Sequence, residues 1–436
     1  MTIEMDEVLT QDHDEVADQL ANIEALAHRW VHVDHYAPGV TIVVSKGVNH
    51  RGAVYTGRIG TFADAPPAGI DSLWRQYSMT KTVTAMAAMT LIDSGVMKLD
   101  TPISEFIPEF TNMNVLDSQG DSETGLRINA LRPATAPIKV LDLMTHTAGM
   151  GYSMVKGPLE SLYYHEGINP WQIDHVEEKK VRPKRPTSLL AFAQKVATLP
   201  LFTDPGKVWA YSIGLDVLAA VVEVAAGMPF EDYVQQKILG PLKMESSYWT
   251  VPRELEGRMS TNFITGFTAS ELIDIDSRAN SIFYVPPSFA YGGAGLVMSA
   301  LDYDRLLGML MNQGTSLGGV RVLSPEKVDL ALSDLLAGRG IDLSQLEKMI
   351  GAAPGSVGFG AGGYVTTRPD PRNGRAAGTY GWGGFAGTCF WLDRAKGVRA
   401  SGMVNVIPHI DAWTKKEVSL IGPLIEAAYK DLTPGG

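Results

Sequence analysis

Strand-like and helical patterns are segregated along this chain, with strands near both ends and helices through the middle. Residues 39–45 and 53–59 are short β-branched runs separated by a polar, glycine-containing turn, which predicts an antiparallel hairpin. Strand-like runs return at 388–392 and 399–404. If these distant strands share one sheet, the residues between them must fold as a unit of their own.

We therefore predict the fold class α/β (α+β), with an antiparallel sheet flanked by helices. Residues 1–95 and 290–436 are expected to form one discontinuous α/β domain, into which a mainly helical domain, 96–289, is inserted. The 436 residues are too many for one simple core and fit two closely packed domains.

Individual elements are predicted from periodicity and from cap residues. Apolar residues at helical spacing indicate helices at 14–32, from Ser78 to about 94, at 300–312 and at 413–429. The glycine-rich run 291–296 is interpreted as a strand that leads into the third of these helices.

The composition is that of a globular protein, with 45% hydrophobic and 19% charged residues. A net charge of -11 argues against nucleic acid as a partner, since phosphate binding needs a basic face. The acidic start Met1–Glu7 has no apolar segment behind it, so neither a signal peptide nor a membrane anchor is expected. One cysteine, Cys389, excludes an internal disulfide, and a cytoplasmic location is the default expectation.

A serine is a poor nucleophile until a base lies within hydrogen-bond reach. The pattern G-x-S-x-G occurs at Gly314-Thr315-Ser316-Leu317-Gly318, and in α/β-hydrolases it must connect a strand to a helix. Here it follows a helical pattern and precedes a strand-like one, with Gly314 at a helix C-cap position. We interpret Ser316 as part of a surface turn.

The pattern S-x-x-K, which places two side chains on one helix face, occurs three times. Ser324-Pro325-Glu326-Lys327 is typical of an ordinary helix start, and Ser153-Met154-Val155-Lys156 has no helix to hold it. Ser78-Met79-Thr80-Lys81 instead opens a long apolar helix. Ser78 would lie at the positive end of the helix dipole, and desolvation of Lys81 favours the neutral amine that accepts a proton.

Ser78-Met79-Thr80-Lys81, with Tyr77 before it, resembles the nucleophile motif of family VIII carboxylesterases, the esterase branch of the class C β-lactamase and penicillin-binding-protein superfamily. Three segments follow in the superfamily's order. The run 143–150 is similar to L-L-x-H-T-S-G-L, Tyr211-Ser212-Ile213 resembles the Y-S-N or Y-x-x element, and 382–385 resembles the W-G-G variant of K-T-G. The resemblance spans about 35–410.

This resemblance implies a β-lactamase/DD-peptidase-like fold and a covalent acyl-serine intermediate. Ser78 would be the nucleophile, with Lys81 and Tyr211 sharing the proton transfers. The backbone N–H groups of Ser78 and Phe385 would form the oxyanion hole. A lysine ammonium beside a tyrosine hydroxyl stabilises the phenolate, so the arrangement is chemically coherent.

The resemblance also identifies expected substrate-binding residues: Tyr152, Ile213, Trp382, Gly383 and Gly384. Two of them depart from the β-lactamase pattern. Ile213 replaces an asparagine, and Trp382 replaces a lysine that would attract a penicillin carboxylate. Neither replacement makes those polar contacts, so we expect small esters, short-chain or aromatic, to be hydrolysed in preference to lactams.

Other candidate residues have structural interpretations. His28, His32 and His35 share a helix face, but no carboxylate cluster accompanies them, so no metal is expected. His146 lies in a segment that is structural in the resembled family, and Cys389 is interpreted as a buried apolar residue. No cofactor is expected.

The expected partner is therefore a small-molecule ester, with no nucleic acid and no membrane; the sequence leaves a homo-oligomer open. Alternatives stay open for function. A β-lactamase or D-amino-acid amidase, or an acyltransferase, would use the same Ser-Lys-Tyr site. A non-catalytic penicillin-binding-like module would keep the fold without turnover.

Overall fold

The computed structural model describes residues 20–62, 64–116, 130–266, 271–372, 374–407 and 420–433. Its centre is a seven-stranded sheet in which every neighbouring pair is antiparallel. From one edge to the other the strands are Val357–Phe359, Tyr364–Thr366, Tyr380–Gly383, Cys389–Asp393, Val398–Met403, Gly39–Lys46 and His50–Gly57.

The first hairpin of the chain pairs with a strand that lies more than 340 residues later. Thr41 lies opposite Met403, and Lys46 opposite Val398. Gly39–Lys46 is buried along almost its whole length because strands cover both of its edges and helices cover its faces. The chain's two ends thus build one sheet, while the boundaries at 95 and 290 remain a prediction.

Smaller sheets brace the rim of this core. Val406–Ile407, Asn262–Thr265 and Leu272–Asp276 form one, Trp74–Arg75, Val297–Met298 and Ser247–Tyr248 another, and Asn114–Leu116 pairs with Leu131–Pro133. The strand Trp74–Arg75 ends three residues before Ser78 and leads into the turn that contains it.

Helices cover both faces of the central sheet. Successive residues of a strand point to opposite faces, so two neighbouring residues show which helix lies on each side. Phe390 contacts Tyr303 of the helix Ala300–Met311, whereas Trp391 contacts Tyr429 of the C-terminal helix. The α-helices are Ala21–His28, Thr80–Asp93, Val140–Met144, Glu160–His165, His175–Val181, Leu189–Ala197, Gly214–Ala226, Phe230–Val234, Ala300–Met311, Pro325–Ala331, Ser344–Ile350 and Ile421–Leu432.

Two of these helices hold the candidate site. Thr80–Asp93 is buried on nearly every side, and this is why its apolar residues show no single stripe. It packs against Gly214–Ala226, which ends at Gly227 in the left-handed conformation. A buried pair of helices gives the side chains at their first turns fixed positions.

Three predicted elements differ from the structure. The first helix is described from Ala21 and continues as a π-helical segment, Arg29–Val33; residues 14–19 lie outside the described part. The last helix begins at Ile421, and 413–419 likewise lie outside. The run 291–296 is not a strand, because Gly292 and Gly293 close against the helix Gly214–Ala226; only Val297–Met298 pairs.

Candidate active site

Ser78 lies in the 3-10 turn Tyr77–Met79 that leads directly into the helix Thr80–Asp93. Tyr77 before it has a positive φ of 43°, in a region that residues other than glycine seldom adopt. The Tyr77 ring packs edge-on to Phe283 and Phe385, and Asn262 donates a 2.9 Å hydrogen bond to its hydroxyl. These contacts hold the strained backbone that aims Ser78.

The structure brings Ser78, Lys81 and Tyr211 together. The Tyr211 hydroxyl donates to Ser78 Oγ at 2.5 Å, and Lys81 Nζ lies 3.3 Å from the same oxygen. Lys81 Nζ also lies 4.7 Å from the centroid of the Tyr211 ring. One hydroxyl oxygen is therefore within reach of two groups that can exchange a proton with it.

Lys81 is fully buried and has three hydrogen-bond acceptors. Besides Ser78, its ammonium donates to the Tyr152 hydroxyl at 3.1 Å and to the Gly293 carbonyl at 2.8 Å. Burial, followed by the nearby Asp216 and Tyr211, raises the pKa of Tyr152 well above its usual 10. Tyr152 therefore stays a neutral hydroxyl, whereas the sequence predicted it only as a pocket residue.

Phe385 follows the strand Tyr380–Gly383 in a tight turn, closed by a 2.7 Å hydrogen bond from the Gly384 N–H to the Thr388 carbonyl. A side chain at Gly384 would collide with the Gln76 carbonyl, so this turn sits against the chain just before Ser78. Within the described residues the Phe385 N–H has no hydrogen-bond acceptor. The first N–H groups of a helix, where Ser78 lies, also lack partners inside the helix.

A cavity of about 570 Å³ opens at Ser78 and Tyr211. Its wall is mostly apolar, with several aromatic side chains, and it includes the predicted residues Tyr152, Trp382, Gly383, Gly384 and Phe385. Ile213 is the exception: it is fully buried, and its side chain is not part of the cavity wall. It directly precedes the helix Gly214–Ala226 and packs in the core. That it contacts substrate stays a prediction.

His146 supports the site from behind. Its ring lies 4.8 Å from the Tyr211 ring and 6.5 Å from Trp382, and its Nδ1 accepts a 3.2 Å hydrogen bond from the Ser212 N–H. Burial, aided by Lys81, lowers the pKa of His146 well below 6.5, so the ring is neutral. In the described structure the hydrogen bonds of Ser78 Oγ go to Lys81 and Tyr211.

The competing serines are engaged in local structure. Ser316 follows the helix Ala300–Met311 in a turn, where its Oγ accepts from the Val320 N–H at 2.9 Å. Ser153 donates to Asn169, and Ser324 donates to Asp93. None of the three has a lysine or histidine hydrogen-bonded to it within the part of the chain that the structure describes.

Asp216 and Gly293 were missed by sequence reasoning. Asp216 is fully buried one turn into the helix that follows Tyr211, and its Oδ1 accepts from the Gly293 N–H at 2.7 Å. Burial raises its pKa to about 7, although Lys81 opposes the shift. An acidic residue in the first turn of a helix normally complements the helix dipole, so the sequence position of Asp216 did not indicate its contact with Gly293.

Across the described ranges, no cluster of three or more His, Cys, Asp or Glu side chains is placed to share a metal ion. No helix there has the length and apolarity that a bilayer span requires.

Comparison with known proteins identifies the family. A protein-family model described as Beta-lactamase matches residues 19–411. An uncharacterized protein of Mycobacterium tuberculosis is 32% identical over 342 residues, 75% of this chain and 76% of that one. Esterase EstB of Burkholderia gladioli is 28% identical (78% and 79% covered), and lovastatin esterase of Penicillium rubens 26% (79% and 82%).

Solved structures share the fold. Unliganded simvastatin synthase of Aspergillus terreus superposes with a TM-score of 0.74 at 22% identity, covering 96% of this chain and 100% of that one. EstCE1, a hydrolase with promiscuous acyltransferase activity, superposes with a TM-score of 0.70 at 21% identity, covering 94% and 99%. Proteins named as esterases and acyltransferases are among the relatives that this chain resembles. The predicted fold class is confirmed, and the chain belongs to the beta-lactamase family.

Proposed function

We propose that this protein is a serine carboxylesterase that hydrolyses small esters through an acyl-Ser78 intermediate. The observation that carries the proposal is the Ser78 oxygen held between the Tyr211 hydroxyl at 2.5 Å and the Lys81 ammonium at 3.3 Å, at the base of an apolar cavity. The esterases among the relatives support the same chemistry.

In the acylation step, Ser78 Oγ attacks the ester carbonyl carbon and its proton passes to the Lys81–Tyr211 pair, in which the Tyr211 oxygen is the nearer atom at 2.5 Å. The tetrahedral intermediate collapses when the C–O bond to the alcohol breaks and Tyr211 returns the proton to the leaving oxygen. Water then repeats the sequence: it gives a proton to Tyr211, attacks the acyl carbon, and releases the acid as Ser78 is reprotonated.

The N–H groups of Ser78 and Phe385 would stabilise the oxyanion in both steps. The Phe385 N–H has no acceptor in the described structure, so it is available to donate a hydrogen bond to the oxyanion. The contact between Gly384 and Gln76 links the two donors through the backbone rather than through flexible side chains.

The side chains that line the cavity favour esters over penicillins as substrates. About 570 Å³ accommodates a small organic molecule, and the wall near Ser78 includes Trp382 where a lactam-binding site has a lysine. The alternative enzymes, a β-lactamase or a D-amino-acid amidase, need polar contacts that neither Trp382 nor the buried Ile213 supplies. We propose short-chain and aromatic esters as substrates.

Acyl transfer to an alcohol is a second candidate function. The apolar cavity continues past Ser78 to Met349 and Leu420, which gives an alcohol room beside an acyl group. EstCE1 is named as a hydrolase with acyltransferase activity, and an acyltransferase of Penicillium decumbens is 23% identical over 370 residues. Formation of a new ester in the presence of excess alcohol would reveal this activity.

The decisive test combines turnover with identification of the nucleophile. A chromogenic ester series and a cephalosporin are supplied to the wild type, and the peptide that contains Ser78 is analysed for an acyl mass shift after brief exposure. We expect ester turnover, an adduct on Ser78, and loss of both in Ser78→Ala.

Ser316→Ala is the matched control and is expected to keep full activity, because its hydroxyl only closes a turn. Lactam turnover without ester turnover would replace the esterase assignment by that of a β-lactamase. Absence of turnover together with absence of fluorophosphonate labelling would instead identify a non-catalytic penicillin-binding-like module.

A further inference from the structure

Asp216 is a fully buried carboxylate beside the site that the mechanism above does not use. Its Oδ1 accepts from the Gly293 N–H, and its Oδ2 has no hydrogen-bond partner within the described residues. A buried carboxylate oxygen without a partner is costly, so a compensating interaction is expected nearby.

The Gly292–Gly293 backbone connects Asp216 to Lys81. Gly293 donates its N–H to Asp216 and accepts the Lys81 ammonium at its carbonyl, at 2.7 and 2.8 Å. Thr84, one turn after Lys81, donates to the Gly292 carbonyl at 2.6 Å. A side chain at Gly293 would collide with the Asp216 carboxylate, so no atoms separate the segment from it.

Charge connects the same two residues. The ammonium of Lys81 opposes the rise that burial causes in the pKa of Asp216, which therefore lies near 7. The other titratable groups around Lys81 are the Tyr152 and Tyr211 hydroxyls and the neutral His146 ring, together with the Ser78 hydroxyl. Asp216 thus supplies the negative charge that a buried ammonium needs.

We propose that Asp216 is a positioning residue for the site: its carboxylate holds the Gly293 N–H and so fixes the Gly293 carbonyl that accepts the Lys81 ammonium. This inference rests on the proposed function, since it assigns Asp216 an effect on the proton transfers of Ser78. Asp216 acts through Lys81 and does not touch the substrate.

The pH dependence of the effect follows from the charge. The pKa of Asp216 lies near 7, so the carboxylate is charged above neutral pH and largely neutral below it. Asp216→Asn keeps an oxygen for the Gly293 N–H but removes the charge. We expect the kcat/KM profile of the wild type to change slope near pH 7, and that of Asp216→Asn to lack this change because the amide does not titrate.

Asp216→Ala removes the hydrogen bond as well and is expected to lower kcat by about 10-fold or more, with a smaller change in KM. Asp302→Asn is the matched control: Asp302 is also buried and accepts from a backbone N–H, that of Ser246, but it belongs to another helix. Its pH profile should equal that of the wild type. Unchanged profiles and kcat in both Asp216 variants would overturn the proposal.

A double-mutant cycle tests the pairing without relying on activity. Thermal midpoints at pH 8 are compared for the wild type, Lys81→Met, Asp216→Asn and the double variant. Lys81→Met leaves Asp216 buried without its counter-charge, so adding Asp216→Asn should recover part of the lost midpoint. Strictly additive midpoints would show that the two residues are not coupled and would contradict the proposal.

The two failures are distinguishable. If the wild type hydrolyses no ester, the proposed function is wrong, while the double-mutant cycle still reports on the Lys81–Asp216 pair. If the wild type hydrolyses esters and the cycle is additive with unchanged pH profiles, the esterase stands and the role of Asp216 falls.

Discussion

The Tyr211 hydroxyl lies 2.5 Å from Ser78 Oγ, although 133 residues separate the two in the chain. Tyr211 lies three residues before the helix Gly214–Ala226, which packs on the helix that follows Ser78. Its ring also faces the Lys81 ammonium and the Tyr152 ring. The contact is therefore produced by the packing of two buried helices, which leaves a phenol and a hydroxyl facing each other.

Tyr211→Phe should lower kcat by about 100-fold or more, because it removes the group that accepts the Ser78 proton and leaves the ring in place. Steady-state kinetics on a chromogenic ester measures the effect. KM should change much less, since the phenyl ring still forms the cavity wall. A kcat within a few-fold of wild type would transfer the role of base to Lys81 alone.

Tyr152→Phe should lower kcat by about 10-fold, because the buried Lys81 ammonium loses one of its hydrogen-bond acceptors. Tyr429→Phe is the control: that buried hydroxyl donates to Asp393 on the far face of the sheet. It should leave kcat unchanged. Equal kcat values in the two variants would exclude a part for Tyr152 in holding Lys81.

Gly293→Ala should lower kcat by about 10- to 100-fold, because the added methyl collides with the Asp216 carboxylate and displaces the carbonyl that Lys81 binds. Gly422→Ala, where no atom lies within 4 Å of the new methyl, is the matched control and should behave as the wild type. Full activity in Gly293→Ala would show that the Lys81 position does not depend on this segment.

Asp304→Asn should destabilise the fold through the buried cluster of Asp304 with Arg399, Arg51 and Ser45. Burial raises the pKa of Asp304, but Arg399 and Arg51 outweigh it and hold the pKa well below the usual range. Removing the carboxylate leaves two guanidinium groups without their counter-charge, at a cost of about 3–5 kcal/mol in the free energy of unfolding.

The pH dependence of that loss follows from the sign of the shift. Because the folded-state pKa is depressed, the stabilisation is complete above the unfolded-state value of about 4 and disappears as pH falls through the folded value. Denaturant unfolding of Asp304→Asn and wild type should show a constant gap between pH 5 and 8. Asp342→Asn, an exposed carboxylate, is the control, and a gap no larger than its own would contradict the assignment.

The local sequence pattern predicted Ser78 and Lys81 as site residues, because a spacing of three residues at a helix start brings both side chains to one face. Tyr211 and the 382–385 segment came from their resemblance to family motifs. Asp216 and Gly293 escaped because their contact joins residues 77 apart and depends on close approach of backbone to a helix. Periodicity reports which face is buried, not which buried polar atoms meet.

The sheet shows the same division. Two short β-branched runs, separated by a polar turn that contains glycine, predicted the hairpin of Gly39–Lys46 and His50–Gly57, and the structure has it. That Gly39–Lys46 also pairs with Val398–Met403 is a non-local fact, fixed by how the intervening helices pack. Ile213 shows a related limit: its motif position predicted the backbone location beside Tyr211, but not that its side chain is fully buried.

The left-handed backbone at Tyr77 means that the orientation of Ser78 is set when the chain folds and does not depend on ligand binding. Such a conformation costs about 1–3 kcal/mol. The packing of the Tyr77 ring against Phe283 and Phe385 must offset this cost. Selection for thermal stability would consequently favour substitutions that relieve the backbone strain at Tyr77. The resulting variants would be more stable but less active.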